Sequence, residues 1–262
     1  MKILFVGDIV GRPGRQCVAR LVPEFCTQRR IDFVLANAEN AAGGMGATPD
    51  VLRELRKTGI HAFTMGNHVW RKEELVSAIG GMPDVVRPAN YPQRVPGQGS
   101  ALIRLGDGRV VGVTNLLGRV FMEPLECPFA TADQEVARLR EQTPVVIVDM
   151  HAEATSEKVA MAWHLDGRCT AVVGTHTHVQ TADEWVLPKG TAFITDVGMC
   201  GPVYSVIGMD RDRIIERFVT AMPQKFEVAK GPAMFNAVLI DVDEQTGRAL
   251  TIERIFIRET FR

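Results

Sequence analysis

Residues 2–40 read KILFVGDIVGRPGRQCVARLVPEFCTQRRIDFVLANAEN, and this stretch decides the fold. Lys2–Val6 is an apolar run of strand length. Arg12 to about Arg29 carries Val18, Leu21, Val22 and Phe25 at helical spacing, and Ile31–Leu35 is a second apolar run. Strand, helix, strand in that order predicts a βαβ unit in a mostly parallel sheet. Each strand also runs into polar residues, Gly7-Asp8 after the first and Glu39-Asn40 after the second. In open α/β sheets ligands collect at the carboxyl ends of strands, so these endings mark one edge of the sheet as a candidate site.

The pattern continues outward. A Gly-rich loop, Ala41–Gly46, is followed by Thr48, which is expected to cap a helix with Pro49 in its first turn and Val51, Leu52 and Leu55 on its apolar side. His61–Met65 reads as a third strand ending in Gly66-Asn67-His68, and Trp70–Ile79 as a helix. The middle of the chain differs. Val85–Arg87, Ser100–Arg104 and Val110–Leu116 read as strands without helices between them, with a tight turn at Asp107-Gly108. Alternation then returns. Ala132–Glu141 is a helix, Pro144–Val148 a strand leading to His151, Ser156–His164 a helix, and Ala171–Val173 a strand leading to His176-Thr177-His178. Ala192–Thr195, Met234–Asp241 and Thr251–Ile257 are strands, and Asp210–Thr220 is a helix. The expectation is an α/β fold of two mixed β-sheets packed face to face with helices outside. With no internal repeat and no linker, residues 1–262 are read as one domain.

Composition narrows the function. The 262 residues are 46% hydrophobic and carry a net charge of −1. No long run of one sign is present, so an extended nucleic-acid surface is not expected. No apolar stretch approaches the ~20 residues of a membrane span. The N-terminus lacks a signal-peptide core and cleavage site. Cys17, Cys26, Cys127, Cys169 and Cys200 are odd in number and widely spaced, which predicts free thiols and a reducing, cytoplasmic setting. A homo-oligomer is left open.

Asp8, Glu39, Asn40, Asn67, His151, His176 and His178 form a candidate metal-ligand set. Carboxylate and amide oxygens mixed with imidazole nitrogens suit borderline divalent metals such as Mn, Fe or Zn. The set is too large for one ion and fits two sharing a bridging carboxylate, for which Glu39 has two oxygens. His68 is then left to act on substrate. Other readings stand beside these. Asp8 could cap the helix that begins near Arg12, Asn40 could form a turn, and a lone histidine is usually structural. Residues two apart in an extended chain point to one side, so His176 and His178 can approach a common centre. His61, at the opposite end of its strand, and His164, on an amphipathic helix, are assigned structural roles, and Asn37 a loop hydrogen bond. Arg12 or the Gly43-Gly44 backbone could contact phosphate. Cys200 follows Asp196 closely enough to approach the site without a catalytic role.

In this order, Asp8, Glu39, Gly66-Asn67-His68, His151 and His176-Thr177-His178 resemble the calcineurin-like metallophosphoesterase superfamily. Most of its members have Asp where Glu39 stands and an acid where Val69 follows His68. Those departures, with Gly7–Gly14, Ala38–Gly44 and Ile194–Met199, resemble a bacterial subfamily of 2′,3′-cyclic-nucleotide phosphodiesterases, over nearly the whole chain. The resemblance implies a four-layer α/β sandwich with a di-metal centre of divalent or mixed-valence ions. It also implies that Asp8, Glu39, Asn40 and His178 serve one ion, and Glu39, Asn67, His151 and His176 the other. The expected activity is hydrolysis of a cyclic nucleotide by metal-activated water, with His68 protonating the departing ribose oxygen. Two alternatives remain, a phosphomonoesterase or protein phosphatase, and a regulatory protein that binds a nucleotide through its metals without turnover.

Overall fold

The computed structural model describes residues 1–258. In chain order its elements are β1 (Lys2–Val6), β2 (Asp8–Ile9), α1 (Gly11–Arg29), β3 (Phe33–Asn37), α2 (Pro49–Arg56), β4 (Ala62–Thr64), α3 (Glu73–Ala78) and β5 (Val85–Val86). Then come β6 (Ser100–Arg104), β7 (Val110–Leu117), α4 (Pro128–Arg140), β8 (Val146–His151), α5 (Thr155–Leu165), β9 (Ala171–Thr175), β10 (Trp185–Val186), β11 (Ala192–Ile194) and β12 (Met199–Pro202). The last are α6 (Arg211–Thr220), β13 (Ala233–Val242) and β14 (Ala249–Arg258).

An eight-stranded sheet runs β2-β12-β13-β1-β3-β4-β5, with β14 added on β13, and a six-stranded sheet runs β10-β11-β9-β8-β7-β6. Both are mixed. β1, β3, β4 and β5 are parallel, while β13 lies antiparallel to β1. In the second sheet β7, β8, β9 and β11 are parallel and β6 and β10 antiparallel.

Strand alternation builds the layers. Ile3 and Phe5 of β1 face inward and meet Val111, Val113, Ile147 and Val173 of the opposite sheet. Leu4 and Val6 face outward, against Val18, Leu21 and Val22 of α1 and Leu52 and Leu55 of α2. On the far side Val146, Val148 and Val172 face Val136 and Leu139 of α4 and Met161 and Leu165 of α5. Successive strand residues point to opposite faces, so strands apolar on both faces can be buried only between two layers. Each fully buried Val, Leu, Ile or Phe contributes roughly 1.5–3 kcal/mol. The result is the four-layer sandwich of helices, sheet, sheet and helices.

Element ends deviate for local reasons. α2 starts as expected, with Thr48 accepting a hydrogen bond from the Val51 N–H and Pro49 in the first turn. α4 starts at Pro128 rather than Ala132, because proline's missing N–H costs nothing at a helix start. α3 spans only Glu73–Ala78 instead of Trp70–Ile79. The preceding backbone is taken up by turns, with Val69 N bonded to Gly66 O and Arg71 N to His68 O. The short strands β2, β10 and β12 carry no periodicity that a sequence reading could register.

Candidate metal centre

The site lies where β1, β3 and β4 of one sheet and β8 and β9 of the other reach their carboxyl ends. Gly7 kinks the chain from β1 into β2. A Cβ there would sit 2.0 Å from the Gly198 carbonyl oxygen, so only glycine lets Asp8 turn in against β12. Asp8 is fully buried and does not cap α1, whose N-cap is Val10 without a side-chain bond. Glu39 and Asn40, just beyond β3, are also buried. Gly66 lies against the candidate ligands themselves. An added Cβ would lie 2.3 Å from both Glu39 Oε2 and His151 Nε2.

The seven candidate ligands form one connected group. Glu39 Oε1 is 3.2 Å from His151 Nε2 and 3.2 Å from Asn40 Nδ2. His151 Nε2 is 3.1 Å from Asn67 Oδ1 and 3.1 Å from His176 Nδ1. Asn40 Nδ2 is 3.1 Å from His178 Nε2, which is 3.8 Å from Asp8 Oδ1. Asp8 Oδ2 accepts from the His176 N–H at 3.2 Å. Ligand atoms of Glu39, His151 and His176 all lie within 4.8 Å of one another.

Each histidine is oriented by its outer nitrogen. Thr175 Oγ1 donates to Asp149 Oδ1 at 2.7 Å and lies 2.8 Å from His151 Nδ1. With its one proton committed to Asp149, the hydroxyl can only accept from His151. Nδ1 therefore carries hydrogen, and Nε2 faces Glu39. His178 Nδ1 must likewise donate to the Ile207 carbonyl at 2.8 Å. His176 Nε2 faces Glu153 Oε2 at 3.2 Å, which turns Nδ1 inward. Such outer partners fix ligand tautomers in metal sites.

Backbone conformation also departs from the sequence expectation. His176 and His178 have φ of 102° and 67°, so they converge through left-handed turns and not as alternate residues of an extended strand. A buried pair beneath the loop sustains this costly geometry. Lys158 Nζ lies 2.7 Å from Asp196 Oδ2, both side chains fully buried. The same oxygen accepts from the Thr177 N–H and hydroxyl, at 3.0 and 2.8 Å.

Charge is unevenly settled in the cluster. Burial drives the Asp8 carboxyl up, to about 6, despite the opposing pull of His178 and His151. Burial would raise Glu39 too, but His151 and His68 outweigh it and hold Glu39 well below the usual range. Burial would lower His151, yet Glu39 lifts it to about 9, while burial and the His151 charge push His176 down to about 3.

These residues fit a cation. Asp8 Oδ1 is buried with no hydrogen-bond partner among the described residues, a costly state that a metal ion would relieve. Ring nitrogens of His151 and His176 share a space with the Glu39 carboxylate, and that of His178 lies beside Asn40 and Asp8, a donor set suited to divalent transition metals. His68 sits beside the group. Its N–H donates to Glu39 Oε2 at 3.0 Å, and its Nδ1 is 2.7 Å from Asn40 Oδ1.

The other sequence candidates fall out differently. Gly44 lines the cleft over the cluster, and Arg12 is exposed and does not. Asn37 is no loop residue: its amide reaches the Met65 carbonyl at 3.1 Å and Asp149 Oδ2 at 3.2 Å. His61 Nδ1 accepts from the Val34 N–H, and His164 Nε2 pairs with Asp133, both structural contacts. No disulfide forms among the described residues, and burial pushes the Cys200 thiol well up, away from nucleophilic use. Glu153, Thr175, Lys158 and the cleft residues Met45, Ile207, Met209 and Phe226 were not singled out by sequence. Only Asp149, two residues before His151, offered a local hint of the supporting network.

Fold and donor set together define a metallophosphoesterase. The chain belongs to the YmdB-like protein family, whose sequence model matches residues 4–255. It is 50% identical over 259 residues to a Bacillus subtilis protein named 2′,3′-cyclic-nucleotide 2′-phosphodiesterase, covering 99% of this chain and 98% of that one. A hypothetical protein from Thermus thermophilus superposes with a TM-score of 0.92 at 41% identity, covering 99% of this chain and 100% of that chain. A structure described as a novel phosphatase from Mycoplasma pneumoniae superposes with a TM-score of 0.92 at 36% identity, covering 98% of this chain and 93% of that chain. Among the described residues no helix is long and apolar enough to cross a membrane.

Proposed function

We propose that this protein is a metal-dependent phosphodiesterase that hydrolyses 2′,3′-cyclic nucleotides in the cytoplasm, with its site carried by one domain spanning the chain. The observation that carries this reading is the outward locking of the three histidines by Thr175, Glu153 and the Ile207 carbonyl, which leaves ring nitrogens of His151 and His176 beside buried Glu39 and that of His178 beside Asn40 and Asp8. The relative from Bacillus subtilis supplies the substrate class.

Asp8, Glu39, Asn40 and His178 would hold one cation, and Glu39, Asn67, His151 and His176 a second, with Fe or Mn as first candidates and Zn as an alternative. Asn40 would turn its amide oxygen toward His178 by exchanging the two ends of its side chain, which are indistinguishable by shape. Bound there, divalent ions supply a water nucleophile near neutral pH and neutralise phosphate charge. The protein's own groups do the rest. Glu39 anchors the His68 backbone N–H at 3.0 Å; after that exchange the Asn40 amide N–H takes the place of its oxygen, 2.7 Å from His68 Nδ1, and donates to it, so the ring proton sits on Nε2. Nε2 of His68 has no hydrogen-bond partner among the described residues and is free to protonate the leaving ribose oxygen. The apolar side of the cleft limits bulk water near that proton.

The test is His68→Ala with metal content measured in parallel. Both ions should be retained. Turnover of 2′,3′-cyclic AMP should fall by roughly 10²–10⁴-fold if His68 is the general acid. A nitrophenyl phosphodiester, whose leaving group needs little protonation, should lose much less. Equal losses on both, or loss of metal, would remove His68 from that role. The relative described as a phosphatase favours one second reading, monoester hydrolysis at the same centre. Wild-type enzyme active on p-nitrophenyl phosphate and inert toward cyclic nucleotides would establish it instead.

A further inference from the structure

The cleft over the cluster has two unlike walls. One is Glu39, Asn40, His68 and the His176–His178 loop, and the other is Met45, Ile207, Met209 and Phe226, around a cavity of about 290 Å³. That volume is at the low end for small-molecule sites and suits a mononucleotide better than a polymer. A phosphodiester's charge belongs to the polar wall. In a 2′,3′-cyclic phosphate both bridging oxygens sit on one ribose. A leaving oxygen beside His68 therefore carries its nucleoside into this same cleft, against the apolar wall.

We propose that Phe226 is the stacking platform for the nucleobase and the main determinant of binding beyond the phosphate. This inference rests on the phosphodiesterase reading above and deepens it. Phe226 is 39% exposed and lines the cleft, so part of its ring is open to a ligand there. The Arg217 guanidinium lies over the ring, 4.8 Å from its centroid. Its backbone is braced as well. Asp210 N donates to Glu227 O at 2.8 Å, Ala229 N to Gly208 O at 3.0 Å, and Met209 bridges Val228. Gly44 lets this ribbon close over the metal-side loop, since a Cβ there would lie 2.6 Å from Val228 and 2.9 Å from Met209. The residues that follow Phe226 are thus held by backbone bonds before substrate arrives, which cuts the ordering cost of binding. The side chains of Met45, Ile207, Met209 and Phe226 carry no N–H or O–H to read a base edge. Stacking is tolerant of base identity, because every base has a π-face. All four 2′,3′-cyclic nucleotides should therefore bind with similar KM.

Phe226→Ala, Phe226→Leu and Phe226→Trp would be assayed on 2′,3′-cyclic AMP and on methyl β-ribofuranoside 2,3-cyclic phosphate, which keeps the strained ester and lacks the base. In Phe226→Ala the KM for cyclic AMP should rise roughly tenfold or more, the scale of losing a base–aromatic stack, with kcat little changed. The base-free ester should be unaffected. Phe226→Trp should restore the KM and Phe226→Leu should not, which separates stacking from mere bulk. Equal effects on both esters, or no effect on either, would overturn the platform while leaving the activity intact. Wild-type enzyme that turns over neither ester would overturn the phosphodiesterase reading and the platform with it.

Discussion

Asp8→Asn should make the metal-free protein more stable. Asp8 is fully buried, its Oδ1 has no hydrogen-bond partner among the described residues, and burial lifts its pKa from an ordinary 3.8 to about 6. A group whose pKa is higher folded than unfolded favours the folded state below the unfolded pKa, and that advantage is lost as pH rises through the folded pKa. Above pH 6 the charged carboxylate therefore costs about 3 kcal/mol relative to its protonated form. Asparagine keeps the shape, can still accept from the His176 N–H, and never ionises. Its NH₂ inherits the unpartnered position, but so does the OH of protonated Asp8, and the two terms nearly cancel. Denaturant unfolding of chelator-treated wild type and variant from pH 4 to 8 measures the difference. It should be near zero at pH 4 and reach about 2–3 kcal/mol by pH 7. Saturating metal should reverse the order. A ligand at 100 times its Kd adds ~2.7 kcal/mol, and the variant has lost a charged ligand. A constant difference across pH, or a variant less stable without metal, would refute the account of Asp8 as a strained, cation-awaiting carboxylate.

Gly66→Ala should strip metal and activity while circular dichroism stays unchanged, because its Cβ would fall 2.3 Å from Glu39 and His151; normal metal content would show that the site can yield. Metal affinity, read by competition with a chelator, should rise with pH from below 6 to above 9, since a cation must displace protons from Asp8 at about 6 and His151 at about 9. A flat profile would contradict their place in the site. Lys158→Met leaves Asp196 charged and buried, and should cost ~3–5 kcal/mol in denaturant unfolding. A loss under 1 kcal/mol would mean that the pair is not ionised.

Strand runs, their order and their polar endings were legible in the sequence because burial between two layers demands apolar residues on both strand faces. Asp8, Glu39, Asn40, Asn67, His68, His151, His176 and His178 could be read from the same rule, since each follows a run that must end at the sheet's edge. The tertiary structure decided the rest. Glu153 is remote in sequence from Asp8 and Glu39, and its role beside His176 depends on how α5 sits on the second sheet. Lys158 reads as an ordinary helix-surface lysine until Asp196, on the segment between β11 and β12, is brought 2.7 Å away. Phe226 lies outside any periodic element, and only the folding of residues 203–232 back over Gly44 places its ring at the cleft. Periodicity reports which face of an element is buried. It carries no information about which distant side chain will meet it, because that pairing is set by the packing of whole layers.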